Sequence, residues 1–335
     1  MFMLSNLLFL TCMMIGVLIT ISSHSWLTMW LGMEINLLSI MPLITNEKTI
    51  TSGESALKYF ITQAIASTIF LMSIFLMEIS SLPDFYIPLN LSIFLSQSAL
   101  LMKLGMAPFH AWFPEVAEGL KWNLCLVLFT IQKIAPFFVL MSFYQNVNLL
   151  SLSIVMSSII SGILGMGQTS LRKILAYSSI NHMSWLLLCS LTSMNLWILY
   201  LVIYIISTLV MVLTLSYLNI YSINQLLTLK ANKPMKILMT SSLLSIGGLP
   251  PFMGFLPKWM VVMMVMQSNL IFITVIVIIS TLISLYIYLR LMFPIVSMKS
   301  QESSISSSLN LNLILSILGL TFLLSLPVMS LIFNL

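Results

Sequence analysis

Long apolar runs separated by short polar breaks fill this chain almost from end to end. A membrane-spanning helix needs about 20 mostly apolar residues. By that measure the runs predict eleven helices, at 2–21, 25–45, 57–78, 90–118, 123–143, 149–167, 173–191, 195–217, 237–267, 269–292 and 311–333. The fourth and ninth are too long for single straight helices, and glycine and proline interrupt both. Proline has no N–H to donate, so Pro108, Pro136 and Pro251 leave the carbonyls of Leu104, Gln132 and Gly247 without their usual helical donors. The runs are continuously apolar rather than alternating, which sets aside a large β-barrel. Only 46–56, 218–236 and 293–310 are longer connections, so no appended soluble domain is expected. The first run lacks a basic stretch before it and a small-residue cleavage site, and is expected to be a span rather than a signal peptide.

Composition agrees with the pattern. Of 335 residues, 60% are hydrophobic and 6% charged, against roughly 25% charged in soluble domains. A water-soluble fold of this size would need far more polar surface. The 27 methionines suggest translation by a mitochondrial genetic code. Cys12, Cys125 and Cys189 stand singly in apolar runs, which predicts small buried hydrophobes rather than metal ligands or disulfides. With three scattered histidines and no Gly-rich nucleotide fingerprint, no redox cofactor, metal or nucleotide is expected to bind this chain.

Charge orients the spans. An odd number of spans puts the termini on opposite sides. The loops on the N-terminal side, with their flanking helix ends, hold Lys48, Lys58, Lys121, Arg172, Lys173, Lys230, Lys233, Lys236, Arg290 and Lys299, and the opposite loops hold no basic residue. The positive-inside rule therefore puts the N-terminus on the matrix or cytoplasmic side and the C-terminus across the membrane.

The three remaining basic residues, Lys103, Lys133 and Lys258, fall inside spans, as does Glu34. An ionisable group near the bilayer centre costs roughly 2.5–3.5 kcal/mol on insertion scales. Glu34 and Lys133 lie near mid-span, roughly 15 Å of helix from either face, which is too far for easy snorkelling. Lys103 precedes the first interruption and Lys258 follows the second. Freed carbonyls inside a membrane are tolerated where water or polar side chains reach them, and water beside a lysine is what a proton relay needs. A low-dielectric site disfavours an ammonium and a nearby carboxylate favours it, so movement of Glu34 relative to Lys103 would load or release a proton. The competing reading makes each of these groups a snorkelling residue or half of a structural ion pair.

The interruptions also recur in register. Spans one to five (1–143) and six to ten (149–292) form two sets of five, with the broken helix fourth in each, and 311–333 adds a C-terminal helix. An odd-numbered unit followed by its copy must lie upside down. Paired interruptions in inverted repeats are a pointer to an ion path near the midplane. The fold class expected is thus an all-α polytopic membrane protein with two inverted five-helix repeats, each containing one discontinuous helix. Weaker relay candidates are His110, two residues after Pro108, and His182, in a polar stripe with Ser178, Ser179, Asn181 and Ser184. Packing for the first, and interhelical hydrogen bonding for the second, are the structural alternatives. Glu115 and Glu118 are expected at a solvated helix end, and Arg172 and Lys173 as anchors. The Ser-rich segment 297–310 carries no readable chemistry.

"KLGMAPFHAWFPEV" (103–116), "LRKILAYSSINHMSW" (171–185) and "GGLPPFMGFLPKW" (247–259) resemble the antiporter-like membrane subunits of respiratory complex I, an NADH:ubiquinone oxidoreductase. "SSHSWLTMWLGMEINLLSIMPLI" (22–44) and "IQKIAP" (131–136) are similar to a mitochondrial branch of that family. The resemblance implies inverted five-helix repeats with one discontinuous helix each, in a form shortened by three N-terminal helices relative to bacterial members. It implies that Glu34 is the family's carboxylate, Lys103 its partner lysine, Lys133 the central lysine and Lys258 the final proton group, a glutamate in the longest relatives. It further implies that NADH, FMN, the iron–sulfur clusters and most contacts to ubiquinone belong to other subunits. Neighbouring antiporter-like subunits and membrane lipids would be its partners, with no nucleic acid, in the mitochondrial inner membrane. A free-standing cation/proton antiporter and a purely structural membrane subunit are the rival functions.

Overall fold

The computed structural model describes residues 2–46, 49–80, 89–142, 146–227, 233–250, 252–268 and 270–297. Among these it is helical with no strand beyond one isolated bridge. The helices are α1 (Phe2–Ser22), α2 (Trp26–Thr45), α3 (Ile50–Ser80), α4 (Leu89–Leu104), α5 (Trp112–Gly119), α6 (Trp122–Phe129) and α7 (Ile131–Ser142). They continue as α8 (Val147–Met166), α9 (Leu171–Thr192), α10 (Met194–Tyr217), α11 (Ile223–Leu227), α12 (Lys233–Gly247), α13 (Phe255–Val265) and α14 (Ile271–Ser297). Eight of the described helical stretches are long and apolar enough to cross a membrane, and α12 and α13 contribute shorter apolar helices. The expected eleventh span, Pro251, and the basic residues Lys48, Lys230 and Lys299 lie outside the described residues.

Helices suit this sequence because each satisfies its own backbone within lipid. The many serines in the spans do not oppose this. Their hydroxyls donate back to the carbonyl three residues earlier, as Ser39 does to Asn36 and Ser153 to Leu150, both at 2.8 Å.

Three expectations need correction. Cys12 is exposed rather than buried, because its side of α1 is not covered by another described helix, while Cys125 and Cys189 are buried. The connection 46–56 is largely helix, because α3 begins at Ile50. Thr49 and Ser52 cap it reciprocally: the Ser52 N–H donates to Thr49 Oγ1 (3.2 Å) and the Thr49 N–H to Ser52 Oγ (3.3 Å), a capping box that starts the helix well before the apolar run. The span 123–143 is also not one regular helix. It is interrupted at Thr130 (φ −115°, ψ −76°), six residues before Pro136, while α7 continues through the proline. The Thr130 hydroxyl and N–H both turn to the Leu126 carbonyl, at 2.7 and 3.1 Å, the back-bonding that bends helices.

The chain divides into two compact units, Met1–Ser157 and Ser158–Leu335. In the first, Asn46 Nδ2 near the end of α2 donates to Asn6 Oδ1 near the start of α1 (3.0 Å). Lys58 of α3 pairs with Glu115 of α5 at 2.6 Å, both about half exposed. In the second, Ser170 and Ser222 form the bridge, Leu171 N–H donates to the Tyr221 carbonyl (2.9 Å), and Arg172 lies over the Tyr221 ring. Arg290 of α14 donates to the Met166 carbonyl of α8 (3.3 Å). Within each unit, the helix ends that the span parity puts on one side do meet.

Both interruptions end in the same way. At the end of α4, the Met106 N–H donates to the Leu101 carbonyl (3.0 Å) and the Gly105 N–H to Met102 (3.1 Å). At the end of α12, the Leu249 N–H donates to Leu244 (3.3 Å) and the Gly248 N–H to Ser245 (3.0 Å). These are matching Schellman terminations. They need a left-handed residue, supplied by Gly105 (φ +69°) and Gly248 (φ +78°). Aligning the two glycines aligns Pro114 with Pro257, and hence Glu115, not Lys103, with Lys258.

Candidate functional site

Five stretches of the first unit converge on one cavity. Asn36 of α2, Tyr59 and Gln63 of α3, Lys103 at the end of α4, Trp112 and Phe113 of α5, and Gln132 and Lys133 of α7 all line it. Its volume is about 20 Å³, and roughly 10–15 Å³ is enough to hold one water. Lys103 and Lys133 are buried, at 6% and 4% exposure.

The termination of α4 places Lys103. The Lys103 carbonyl accepts from Gln63 Nε2 (3.2 Å) and the Met102 carbonyl from the Trp112 indole (3.1 Å), so carbonyls of the last turn are bonded across to α3 and α5. The Lys103 ammonium points to Met33 Sδ at 3.9 Å. Lys133 opens α7 just past the Thr130 irregularity, its N–H bonded to the Thr130 carbonyl (3.2 Å). Its ammonium stands 4.7 Å from the centre of the Phe113 ring, where the aromatic quadrupole favours a cation.

A set of uncharged polar groups lines the same cavity as the lysines. The Tyr59 hydroxyl donates to Gln132 Oε1 (3.1 Å) and Gln132 Nε2 donates to Asn36 Oδ1 (2.9 Å). One glutamine thereby ties α7 to both α2 and α3. An amide holds geometry well but passes a proton poorly, because that would leave it in a rare tautomer. These groups position; the lysines, with a water in the cavity, can exchange protons.

Glu34 does not pair with Lys103. Among the described residues the one salt bridge is Lys58–Glu115. Glu34 is half-buried on α2 next to Met33, and its Oε1 is enclosed with no hydrogen-bond partner among those residues. No salt bridge joins Glu34 to Lys103 in this arrangement, and the ammonium meets Met33 Sδ instead.

Lys258 belongs to the second unit. It lies on the first turn of α13, 8% exposed, and its ammonium donates to the Gly247 carbonyl at 3.0 Å. This is the carbonyl that Pro251 was expected to leave without a donor, and it terminates α12. A lysine cation at the carbonyl end of a helix is favoured by the helix dipole.

His182, on the almost wholly buried α9, joins Tyr200 of α10 through Nδ1 at 2.9 Å, with the Tyr204 ring centre 5.2 Å away. Asn181 Nδ2 donates to Ser284 of α14 (2.9 Å), while Ser178 and Ser179 donate to carbonyls of their own helix, Leu175 and Ala176, both at 2.7 Å. The polar stripe does bind three helices together. His110 is half-buried in the α4–α5 interruption, and its Nδ1 is enclosed without a partner among the described residues.

Asn36, Tyr59, Gln63, Trp112 and Gln132 were not anticipated. A search for ionisable groups passes over amides, although Asn36 stands two residues after Glu34 and Gln132 directly before Lys133. Nothing local marks Tyr59 or Trp112.

Comparison with known proteins bears on the family and the fold. The family described as NADH:quinone oxidoreductase/Mrp antiporter, transmembrane region, matches residues 23–284. NADH-ubiquinone oxidoreductase chain 2 of Anopheles gambiae is 43% identical over 327 residues, covering 95% of this chain and 94% of that one. The chain 2 of Locusta migratoria is 39% identical over 308 residues, covering 92% and 90%. Among solved structures, a chain of respiratory complex I from Thermus thermophilus with bound aureothin superposes with a TM-score of 0.86 at 23% identity, over 95% of this chain and 77% of that one. A chain of the Mrp complex from Dietzia sp. DQ12-45-1b gives 0.78 at 15% identity, over 88% and 61%. These two likenesses establish the fold.

Proposed function

The chain belongs to the NADH:quinone oxidoreductase/Mrp antiporter family of membrane proteins, and from that membership we propose that it is a core proton-translocating membrane subunit of respiratory complex I. In this reading it couples NADH-to-ubiquinone electron transfer to proton movement while holding no redox group itself. The observation that carries the proposal is the water-sized cavity shared by Lys103 and Lys133 beneath a helix interruption.

In the relay, one lysine is an ammonium and the other a neutral amine; a water in the cavity passes a proton from the first to the second, so that one positive charge moves across the cavity. Phe113 favours the cation at Lys133. Gln63, Gln132 and Asn36 hold the lysines at the water without carrying the proton. Lys258 acts at the second interruption as the last proton group, and His182, held by Tyr200, is the group available on α9.

NADH, FMN, iron–sulfur clusters and ubiquinone are assigned to the rest of the complex. The donor set does not fit an iron–sulfur cluster: the three cysteines are separate, and no group of three metal-ligating side chains occurs among the described residues. The partners are neighbouring membrane-arm subunits and lipid. The location is the mitochondrial inner membrane, with the N-terminus in the matrix and the C-terminus in the intermembrane space.

The test is Lys133→Met in the assembled complex, reconstituted into vesicles. NADH-driven proton uptake should be abolished while the complex still assembles on a native gel. Unimpaired pumping by that variant would remove the lysine relay.

A further inference from the structure

The lysine cavity shares a wall with a second space. On the far side of Trp112 lies an open groove of about 410 Å³, lined by Lys58, Ile61, Met102, Phe109 and Glu115 as well as by Trp112 itself. The Lys58–Glu115 pair at this groove is 50% and 52% exposed. Facing hydrocarbon, such a pair would be costly; facing water, it is ordinary. The groove also opens near helix ends, since Gly119 at the end of α5 packs against the Thr51 carbonyl in the first turn of α3.

One indole therefore separates an exposed ion pair from the buried ammonium groups. It is held on three sides: its N–H donates to the Met102 carbonyl (3.1 Å), and its ring meets Tyr59 and Phe113 edge-on, at 5.8 and 5.5 Å between centroids. Phe113 in turn faces the Lys133 ammonium. Trp112 is also the first residue of α5, directly after the irregular segment that separates α4 from α5. A small change in that segment would swing the indole without moving α3 or α7.

We propose that water enters the open groove at its Lys58–Glu115 end, that Trp112 is the plug between this groove and the lysine cavity, and that water and protons reach Lys103 and Lys133 from that side when it moves. The inference rests on the cavity's role as a proton relay. Trp112 is a positioning residue: it controls access to the lysines and carries no proton.

Accessibility tests this without relying on activity. Ile61 lines the groove and Gln63, two residues on in α3, lines the cavity. In the intact complex, Ile61→Cys and Gln63→Cys are treated separately with a small, charged, membrane-impermeant thiol reagent on the groove's side. Mass spectrometry distinguishes labelling at these positions from Cys12, Cys125 and Cys189. With Trp112 in place, Ile61→Cys should label, and Gln63→Cys should label at least roughly tenfold more slowly, since an enclosed thiol is inert. Adding Trp112→Ala should bring Gln63→Cys close to the rate of Ile61→Cys. Trp112→Phe, which keeps the ring but loses the bond to Met102, should give an intermediate rate and serves if the alanine chain does not assemble. Equal labelling of both cysteines with Trp112 present, an unreactive Ile61→Cys, or a Gln63→Cys rate unchanged by either Trp112 variant would overturn the plug. A failed relay has a separate signature: Lys133→Met pumps normally whatever the labelling pattern.

Discussion

Two lysines next to two similar helix interruptions stand at different positions in them. Lys103 precedes its left-handed glycine by two residues, whereas Lys258 follows Gly248 by ten and reaches back to the carbonyl before it. The residue of the first interruption that aligns with Lys258 is Glu115, which is paired with Lys58 at the surface. The two interruptions thus share a backbone shape and differ in the charge placed on it. Removing the Lys258 ammonium by Lys258→Met should stop pumping and also leave the Gly247 carbonyl without this donor, at a cost of about 1–3 kcal/mol, read as a lower Tm of the assembled complex. Gly248→Ala should also destabilise, by about 1–2 kcal/mol for the left-handed backbone, and further because its Cβ would lie 2.7 Å from Lys258 Nζ. An alanine chain as stable as its parent would contradict the strained geometry assigned to that turn.

Between helices, stability rests on a few polar ties, because lipid is as apolar as the helix faces and apolar burial does little to choose partners. Asn36–Gln132–Tyr59 joins α2, α7 and α3. Tyr59→Phe and Gln132→Ala, alone and together, should show a coupling energy of about 0.5–3 kcal/mol; strictly additive losses in thermal unfolding would mean that the hydroxyl and the amide act independently. On α9 the polar residues separate into two kinds. Ser184 donates to its own helix at Asn181, whereas Asn181 reaches Ser284 on α14. Ser184→Ala should therefore be nearly neutral, and Asn181→Ala should cost about 0.6 kcal/mol, the usual value for such a tie in a membrane. Equal effects of the two substitutions on Tm would remove the distinction.

At the scale of the molecule, the chain is expected to work only within its assembly. On native purification it should migrate with a large NADH-oxidising complex, and a small carrier that exchanges protons for a cation alone would favour the antiporter reading instead. An N-terminal epitope should be reached from the matrix side only, as the one-sided loop lysines and arginines require. Much of the helical architecture was legible in the sequence, because span length, helix type and Gly–Pro interruptions are local properties, and a helix in lipid needs no other segment to satisfy its backbone. The buried lysines were legible too, as charges out of place in apolar runs. What the sequence could not reveal was which side chains face one another. Runs that are apolar on every side carry no stripe to mark the inward face. The cavity shared by Lys103 and Lys133, the amides that hold it, the separation of Glu34 from Lys103 and the indole between cavity and groove all depend on how each helix is turned. That rotation is set by packing between residues far apart in the chain, and only the tertiary structure decides it.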